Sequence, residues 1–438
     1  MTSYDIGVAM FVGVVLLLAL RVPVALAMLL AGGIGYAAIA GAEPLLNSLK
    51  TLTFSRFSSY TLSIIPLFLL MGEFATKGGL NRSLFQAARA WLGHRRGGLA
   101  MATIGGCAAF GALCGSSLAT AATMSQVAGP EMRRHGYSGA LATGTLAAGG
   151  TLGILIPPSV ILVIYAIYTE QSIGYLFIAA IVPGALAVAG YMAVIWVYAR
   201  IWPGEAPAAE RFALVRRLRD SRDMWPTAII FAVVVGGIYG GWFSPTEASA
   251  IGAFCVGLLA VILGGMRWQG FCEAILRTAL NTAFIFLILL GAELFSAALA
   301  LSRVPSELSA QVAALDAPPL LIVAIILAIY LALGCVLESL AMVLLTLPVF
   351  IPVVLSLDLG MSDPQAMIWF GILVLISVEV GMISPPFGLN LFVINNMARD
   401  VPMGQTYKGV LGFCVSDAAR LVLLVAFPGL CLWLTGVT

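Results

Sequence analysis

The sequence predicts an all-α polytopic membrane protein, arranged as an inverted repeat with two re-entrant helical hairpins and two transmembrane helices broken at Pro-Pro pairs. Three observations carry that expectation. The 438 residues are 61% hydrophobic and only 10% charged, with a mean hydropathy of +1.05, far from soluble composition. Apolar runs of about 20 residues, the length that crosses roughly 30 Å of hydrocarbon, recur from end to end with no separate soluble domain between them. Finally, "TLGILIPPSVILVIYA" (Thr151 to Ala166) and "VEVGMISPPFGLNLFVI" (Val378 to Ile394) share one design, a glycine four residues ahead of a Pro-Pro pair inside an apolar run.

The predicted spans are Ile6–Leu20, Val22–Ala40, Thr61–Thr76, Ser138–Tyr168, Ser172–Arg200, Met224–Gly241, Glu247–Gly265, Asn281–Ser302, Asp363–Met397 and Thr406–Leu434. The first follows "MTSYD", which lacks the basic start of a cleavable signal, so it reads as a retained span. Two further segments fit a single crossing poorly. Leu99 to Pro130 is divided by the polar knot "CGSS", and Leu320 to Leu355 by "GCVLES". Halves of about 16 residues reach about 24 Å at 1.5 Å per residue, short of a full crossing. Both read as hairpins that return to the side they entered.

Basic residues agree with that topology. "HRRGG" precedes the first hairpin and Arg133 and Arg134 follow it, as expected if both loops face the cytoplasm. Counting onward places "TEQ" (Thr169 to Gln171) outside. The loop with Arg200, Arg211, Arg216, Arg217, Arg219 and Arg222 falls inside, and Asp358 and Asp363 fall outside. The two hairpins then open to opposite sides, Arg303 alone sits against the rule, and both chain termini fall on the periplasmic side. The predicted units are 1–98 (first-repeat scaffold and cytoplasmic arm), 99–170 (hairpin and broken helix) and 171–302 (connecting and second-repeat scaffold, with a basic loop at 200–223). They continue with 303–397 (second hairpin and broken helix) and 398–438 (C-terminal helix).

Several function classes are disfavoured. A net charge of +2 implies no nucleic-acid partner. The seven cysteines form no CxxC pair, and His94 and His135 lie among arginines in solvated loops, so a metal centre is not expected. No HExxH, GxSG or paired catalytic aspartates appear, and the "GSS" serines have no histidine or lysine nearby to activate them, so an enzyme is not expected.

Inverted repeats with discontinuous helices place binding sites at the breaks, near the bilayer midplane. Two adjacent prolines remove two amide donors and free several carbonyls there. A buried cation can satisfy those carbonyls, with help from hydroxyls such as Ser116, Ser117, Thr120, Ser339 and Ser384. Gly153 and Gly381 would let the facing hairpin tip approach. The competing reading is a proline kink with small-residue packing, and the pairing of each break with a hairpin argues against it. Of the intramembrane acids, Glu338 touches a tip and Glu379 precedes a break, so either could tune coupling or proton access. Asp417 and Arg420 are spaced to pair on one helix, Glu73 lies near Lys77, and Glu293 has no evident partner.

The stretch "FGALCGSSLATAAT…GPEMRRHGYSGALATGTLAAGGTLGILIPPSVILVIYA" resembles the large membrane subunit of tripartite ATP-independent periplasmic (TRAP) transporters, the DctM-like family within the wider ion-transporter superfamily. "IPLFLLMGEFATKGGL", "LFIAAIVPGAL", "PTEASAIGAF" and "LPVFIPVVLSLDLG…VGMISPPFGLNLFVI" extend the resemblance over nearly the whole chain. It implies a sodium-driven secondary transporter in a bacterial inner membrane, moving hairpins and broken helices as an elevator against a fixed scaffold. It implies two partners, a small four-helix DctQ-like membrane subunit and a DctP-like periplasmic binding protein that delivers an organic acid. No cofactor is implied beyond Na+ as coupling ion. Carried onto this chain, one sodium site falls at Ser116, Ser117, Gly153, Ile156 and Pro158, and a second at Gly334, Ser339, Gly381, Ser384 and Phe387. The substrate, between the tips, would meet Ser116, Thr120, Ser159, Glu338 and Asn390. A self-sufficient ion-coupled carboxylate carrier of the same superfamily, working without a binding protein, is the alternative.

Overall fold

A computed structural model describes residues 2–222, 224–315 and 317–437. Asp223, which closes the predicted basic loop, and Met1 and Thr438, at the ends of the first and last predicted units, lie outside the described residues, as does Asp316. The described residues are helical nearly throughout. Five helices are individually long and apolar enough to cross a membrane, or up to 8 if each bent pair is one span.

The chain opens with α1 (Ser3–Ala19), started by a capping box in which Thr2 and Asp5 satisfy each other's amides. It continues into α2 (Val24–Ala40), and then α3 (Ala42–Phe57), a polar helix outside every predicted span. A 3₁₀ turn at Tyr60–Ser63 leads to α4 (Ile64–Lys77), and α5 (Leu80–Leu92) is an amphipathic arm. The first hairpin is α6 (Gly98–Cys114) and α7 (Ser117–Arg134), turned at Gly115 and Ser116. Next, α8 (Gly139–Leu155) and α9 (Val160–Tyr168) form the first broken helix, bent by 42°.

The connecting helices follow: α10 (Ile173–Ala179), α11 (Ile181–Ile201), α12 (Leu214–Arg222), α13 (Trp225–Tyr239) and α14 (Pro245–Ile262). Then comes α15 (Trp268–Ser302), whose 35 residues extend well ahead of the predicted start at Asn281. Its early turns are too polar to register as a span, and Glu273 there pairs with Lys77. After α16 (Val304–Ala313), α17 (Pro319–Gly334) and α18 (Ser339–Leu355) form the second hairpin. The second broken helix is α19 (Asp363–Ile383) with α20 (Leu389–Met397), and α21 (Met403–Ala426) and α22 (Gly429–Leu432) end the chain. The order hairpin, then broken helix, therefore occurs twice.

Lipid tails are as apolar as leucine, so helices in a bilayer associate through close packing and hydrogen bonds rather than hydrophobic burial. Small residues supply the approach here. A Cβ placed on Gly32 of α2 would lie 2.8 Å from Phe295 Cα of α15, and one on Gly291 of α15 would lie 2.6 Å from Ala25 O of α2. The interior is formed by the broken helices: α19 is buried continuously from Ala366 to Ile383, and α8 from Thr143 to Leu155. Against α8, Asp417 and Arg420 pair at 2.8 Å as their spacing predicts, and Asp417 also accepts a hydrogen bond from Tyr191 at 2.7 Å. Tyr191 in turn meets Thr151 of α8 at 3.0 Å, tying α21 and α11 to that helix.

Candidate functional site

The first hairpin tip turns at Gly115, whose φ of +63° favours glycine. Ser116 caps α7 by accepting from the Ala119 amide at 3.4 Å. The tip lies directly on the first break. A Cβ added to Gly115 would stand 3.1 Å from Pro158 O, and one added to Gly153 would stand 2.6 Å from Ser116 O and against Thr120. The approach expected of Gly153 is present. Ser159, fully buried, caps α9 through the Leu162 amide at 3.4 Å. The Ile156 side chain turns instead toward Gly184 of α11.

The second tip repeats the arrangement. Glu338 caps α18, its carboxylate accepting from the Ala341 amide at 3.2 Å. A Cβ on Gly381 would come within 2.7 Å of Gly334 Cα, and Gly388 donates its amide to Cys335 O at 3.2 Å, so tip and break are joined through backbone. Ser384 donates to Val380 O at 2.7 Å and lies 3.8 Å from Cys414 Sγ. Phe387 is 53% exposed. The peptide bonds within both Pro-Pro pairs are cis.

The two tips meet on α19. Ser117 of the first and Ser339 of the second each donate to Glu379 Oε1 at 3.4 Å, and both hydroxyls touch Met382 Sδ. Glu379 is 2% exposed. On the first tip and the second broken helix several buried polar atoms have no protein partner: Thr120 Oγ1, Ser377 Oγ, Glu379 Oε2 and both amide atoms of Asn390. Buried polar groups normally find partners. Hydroxyl, carboxylate and carbonyl oxygens are the donor set of hard cations, so the cluster fits a bound alkali ion. The sequence marked Glu379 as adjacent to a break, but the residue's contact with both tips depends on a fold that spacing alone does not give.

Beside the junction lies an open cavity of about 340 Å³. Gly115 and Ser116 come from one tip, Glu338 and Leu340 from the other, and Asn281 and Phe284 from scaffold helix α15. Of the predicted substrate residues, Ser116 and Glu338 line it. Thr120, Ser159 and Asn390 are buried away from its wall. Asn281, a polar residue at the predicted start of an apolar span, was the available signal for the scaffold side and was not singled out.

The family model described as the tripartite ATP-independent periplasmic transporter DctM component matches residues 11–430. The chain belongs to this family of TRAP large permease subunits. It is 36% identical over 387 residues to the C4-dicarboxylate TRAP transporter large permease protein DctM of Pseudomonas aeruginosa, covering 88% of each chain. It is 31% identical over 372 residues to the sialic acid large permease SiaM of Vibrio cholerae (84% of this chain, 85% of that one). To the ectoine/5-hydroxyectoine large permease UehC of Ruegeria pomeroyi it is 28% identical, covering 97% of each. The crystal structure of the Alcanivorax borkumensis YdaH transporter superposes with a TM-score of 0.66 at 15% identity, covering 95% of this chain and 98% of that one, a likeness of fold. A TRAP large permease is a multi-pass membrane transporter subunit and not an enzyme.

Proposed function

We propose that this TRAP large permease imports an organic acid by sodium symport, with the two tips and two breaks carrying ions and substrate together. The observation that supports this most is the convergence of Ser117 and Ser339, one from each tip, on the buried Glu379. One sodium ion takes oxygens near Ser116, Ser117, Gly153, Ile156 and Pro158. A second takes oxygens near Gly334, Ser339, Gly381, Ser384 and Phe387. The orphaned oxygens of Thr120 and Asn390 favour this assignment. The substrate carboxylate occupies the cavity between Ser116, Glu338 and Asn281, beside the N-terminal end of α7, whose helix dipole favours an anion. Thr120 and Asn390 offer their free polar atoms from behind the cavity, and Ser159 fixes the start of α9 at the break.

In this reading the units at 99–170 and 303–397 form an inverted pair that slides as an elevator. The units at 1–98 and 171–302 form the scaffold, and 398–438 packs against the moving body. A DctQ-like small subunit extends the scaffold in a bacterial inner membrane, with both termini of this chain periplasmic. A DctP-like binding protein delivers the acid from the periplasm. The relatives' names favour carboxylates, C4-dicarboxylates first.

The test is initial uptake into proteoliposomes holding this chain, its small subunit and its binding protein, measured against sodium concentration with pH varied separately. A saturable sodium dependence, weakened by Ser117→Ala and Ser384→Ala, is expected. A sodium-independent rate that follows the proton gradient overturns the coupling assignment. Equal uptake without the two partners overturns the tripartite one.

A further inference from the structure

One ion pair lies outside the site described so far. Arg56, at the end of α3, donates through Nε to Glu293 Oε2 of α15 at 2.5 Å, and a second guanidinium nitrogen meets the other carboxylate oxygen. This is the bidentate geometry in which arginine binds carboxylates most strongly. The pair walls a small cavity of about 30 Å³ whose other lining is Tyr168 and the apolar Leu62, Ile164, Ile167, Leu289, Ala292 and Leu344. Tyr168, at the end of α9, is hydrogen-bonded to Ser296 of α15 at 2.8 Å.

The location gives the pair its meaning. The central cavity is lined by Asn281, Phe284 and Ile285 of α15 and by Val160 and Ile161 of α9. The next turns of the same helices, Leu289 to Glu293 and Ile164 to Tyr168, line the small cavity. Both cavities therefore lie on one seam between α15 and α9, and the charged pair is at the end where α9 runs out to "TEQ", the predicted periplasmic loop. A 30 Å³ space holds water but no carboxylate. Arg56 is 39% exposed, but its Nε and a second guanidinium nitrogen are taken by Glu293, so an incoming carboxylate pairs with that bidentate face by taking the place of Glu293.

We propose that Arg56 and Glu293 latch the periplasmic end of this seam, and that an entering carboxylate opens it by exchanging with Glu293 on Arg56. The proposal rests on the transport reading above, in which α9 slides past α15. It adds a transient anion position ahead of the central cavity, held on the scaffold side of the seam. Glu293 is half-buried at 20% exposure, so separating it from Arg56 without a replacement is unfavourable, though solvent screens part of the cost. An anionic substrate can replace Glu293 without that cost, whereas a neutral solute cannot.

The test reads access to the central cavity without any sodium gradient. Asn281→Cys is introduced into the full complex in right-side-out vesicles. Its labelling by a membrane-impermeant maleimide is timed, with the parent chain supplying the background from its seven native cysteines. Adding Glu293→Gln should raise the labelling rate about tenfold, and the charge-exchanged Arg56→Glu/Glu293→Arg pair should return it toward the starting value. Succinate, used here as a carboxylate probe whatever acid is transported, should speed labelling relative to chloride of equal ionic strength, and Arg56→Gln should abolish that difference. An unchanged rate in Glu293→Gln overturns the latch, and equal rates in succinate and chloride overturn the exchange. A failure of sodium coupling in the uptake assay leaves these rates untouched, so the two readings fail separately.

Discussion

At the first break Pro157, Pro158 and Ser159 are buried; at the second Pro385, Pro386 and Phe387 are exposed. Both grew from the same local device, a glycine four residues before two prolines, and both receive a hairpin tip on that glycine. The neighbours differ. Ala180 and Gly184, at the start of α11, stand beside Ile156 and Pro157, and Gly115 lies against Pro158 O. Around the second break, Cys335 receives the Gly388 amide on one side and Tyr407 reaches Pro386 O on the other, while the prolines and Phe387 keep an open face. Chemistry encoded in a short motif sets where a helix breaks. Exposure is set by distant elements, and it leaves the second break the more open of the two.

The largest effects should come from the feature the breaks share. Gly153→Val and Gly381→Val each drive a side chain into backbone of the facing hairpin, at Ser116 O and Gly334 Cα, where no rotamer change gives relief. Overpacking of this kind costs about 1–3 kcal/mol, and uptake should be lost in both. Gly236, with nothing within 4 Å of an added Cβ, is the control, and Gly236→Ala should keep uptake and thermal stability. Tolerance of Gly381→Val alone would mean that the open break can relax around the added bulk, sharpening the contrast between the two.

Next come the polar groups that differ. Ser159 is satisfied as a helix cap, whereas Asn390 is wholly buried with no partner for either amide atom. An unsatisfied buried polar group costs about 1–3 kcal/mol, so Asn390→Leu should raise the melting temperature in sodium-free buffer. The same variant should lose the added stability that sodium gives the parent. Ser159→Ala should do the reverse, costing about 1 kcal/mol of stability as a lost cap while sodium still stabilises the protein. Thermal unfolding with and without sodium checks both. Sodium stabilisation that survives Asn390→Leu undamaged would remove Asn390 from the ion site.

Water access itself can be read directly. Phe387→Cys, at a residue 53% exposed, should react with a small hydrophilic maleimide several-fold faster than Ile156→Cys, at a partly buried one whose neighbours are buried. Equal rates would mean that the two breaks exchange with water alike, and the comparison would fail.

How much of this was legible in the sequence follows the range of each cause. Gly153, Gly381 and the serine-bearing tips were readable because proline and glycine act on their own few residues. Asp417 and Arg420 were readable because three positions on a helix place side chains together. Helices α3, α5, α12 and α16 fall outside the predicted spans, since hydropathy windows detect spans and these segments are too polar or too short to be spans. Lys77 was matched to nearby Glu73, yet its partner is Glu273 on α15. Glu293 had no visible partner because Arg56 is 237 residues away along the chain. The same holds for Glu379: its neighbours Ser117 and Ser339 sit on separate hairpins, and only the assembled fold brings them to one carboxylate.

The smallest effect concerns what holds the open break in place. Tyr407 of α21 donates its hydroxyl to Pro386 O at 2.5 Å, a bond made at an exposed position. A hydrogen bond of this kind contributes about 1 kcal/mol net, and the freed carbonyl can turn to water, so Tyr407→Phe should leave folding intact. The first break has no counterpart to lose, because its cover comes from packing by α11 and the first tip. Labelling of Phe387→Cys should therefore rise by about twofold to fivefold in the Tyr407→Phe background, while labelling of Ile156→Cys stays unchanged. If both sites respond equally, the two breaks open as one cooperative unit, and the difference in their exposure would reflect one shared motion rather than two separate environments.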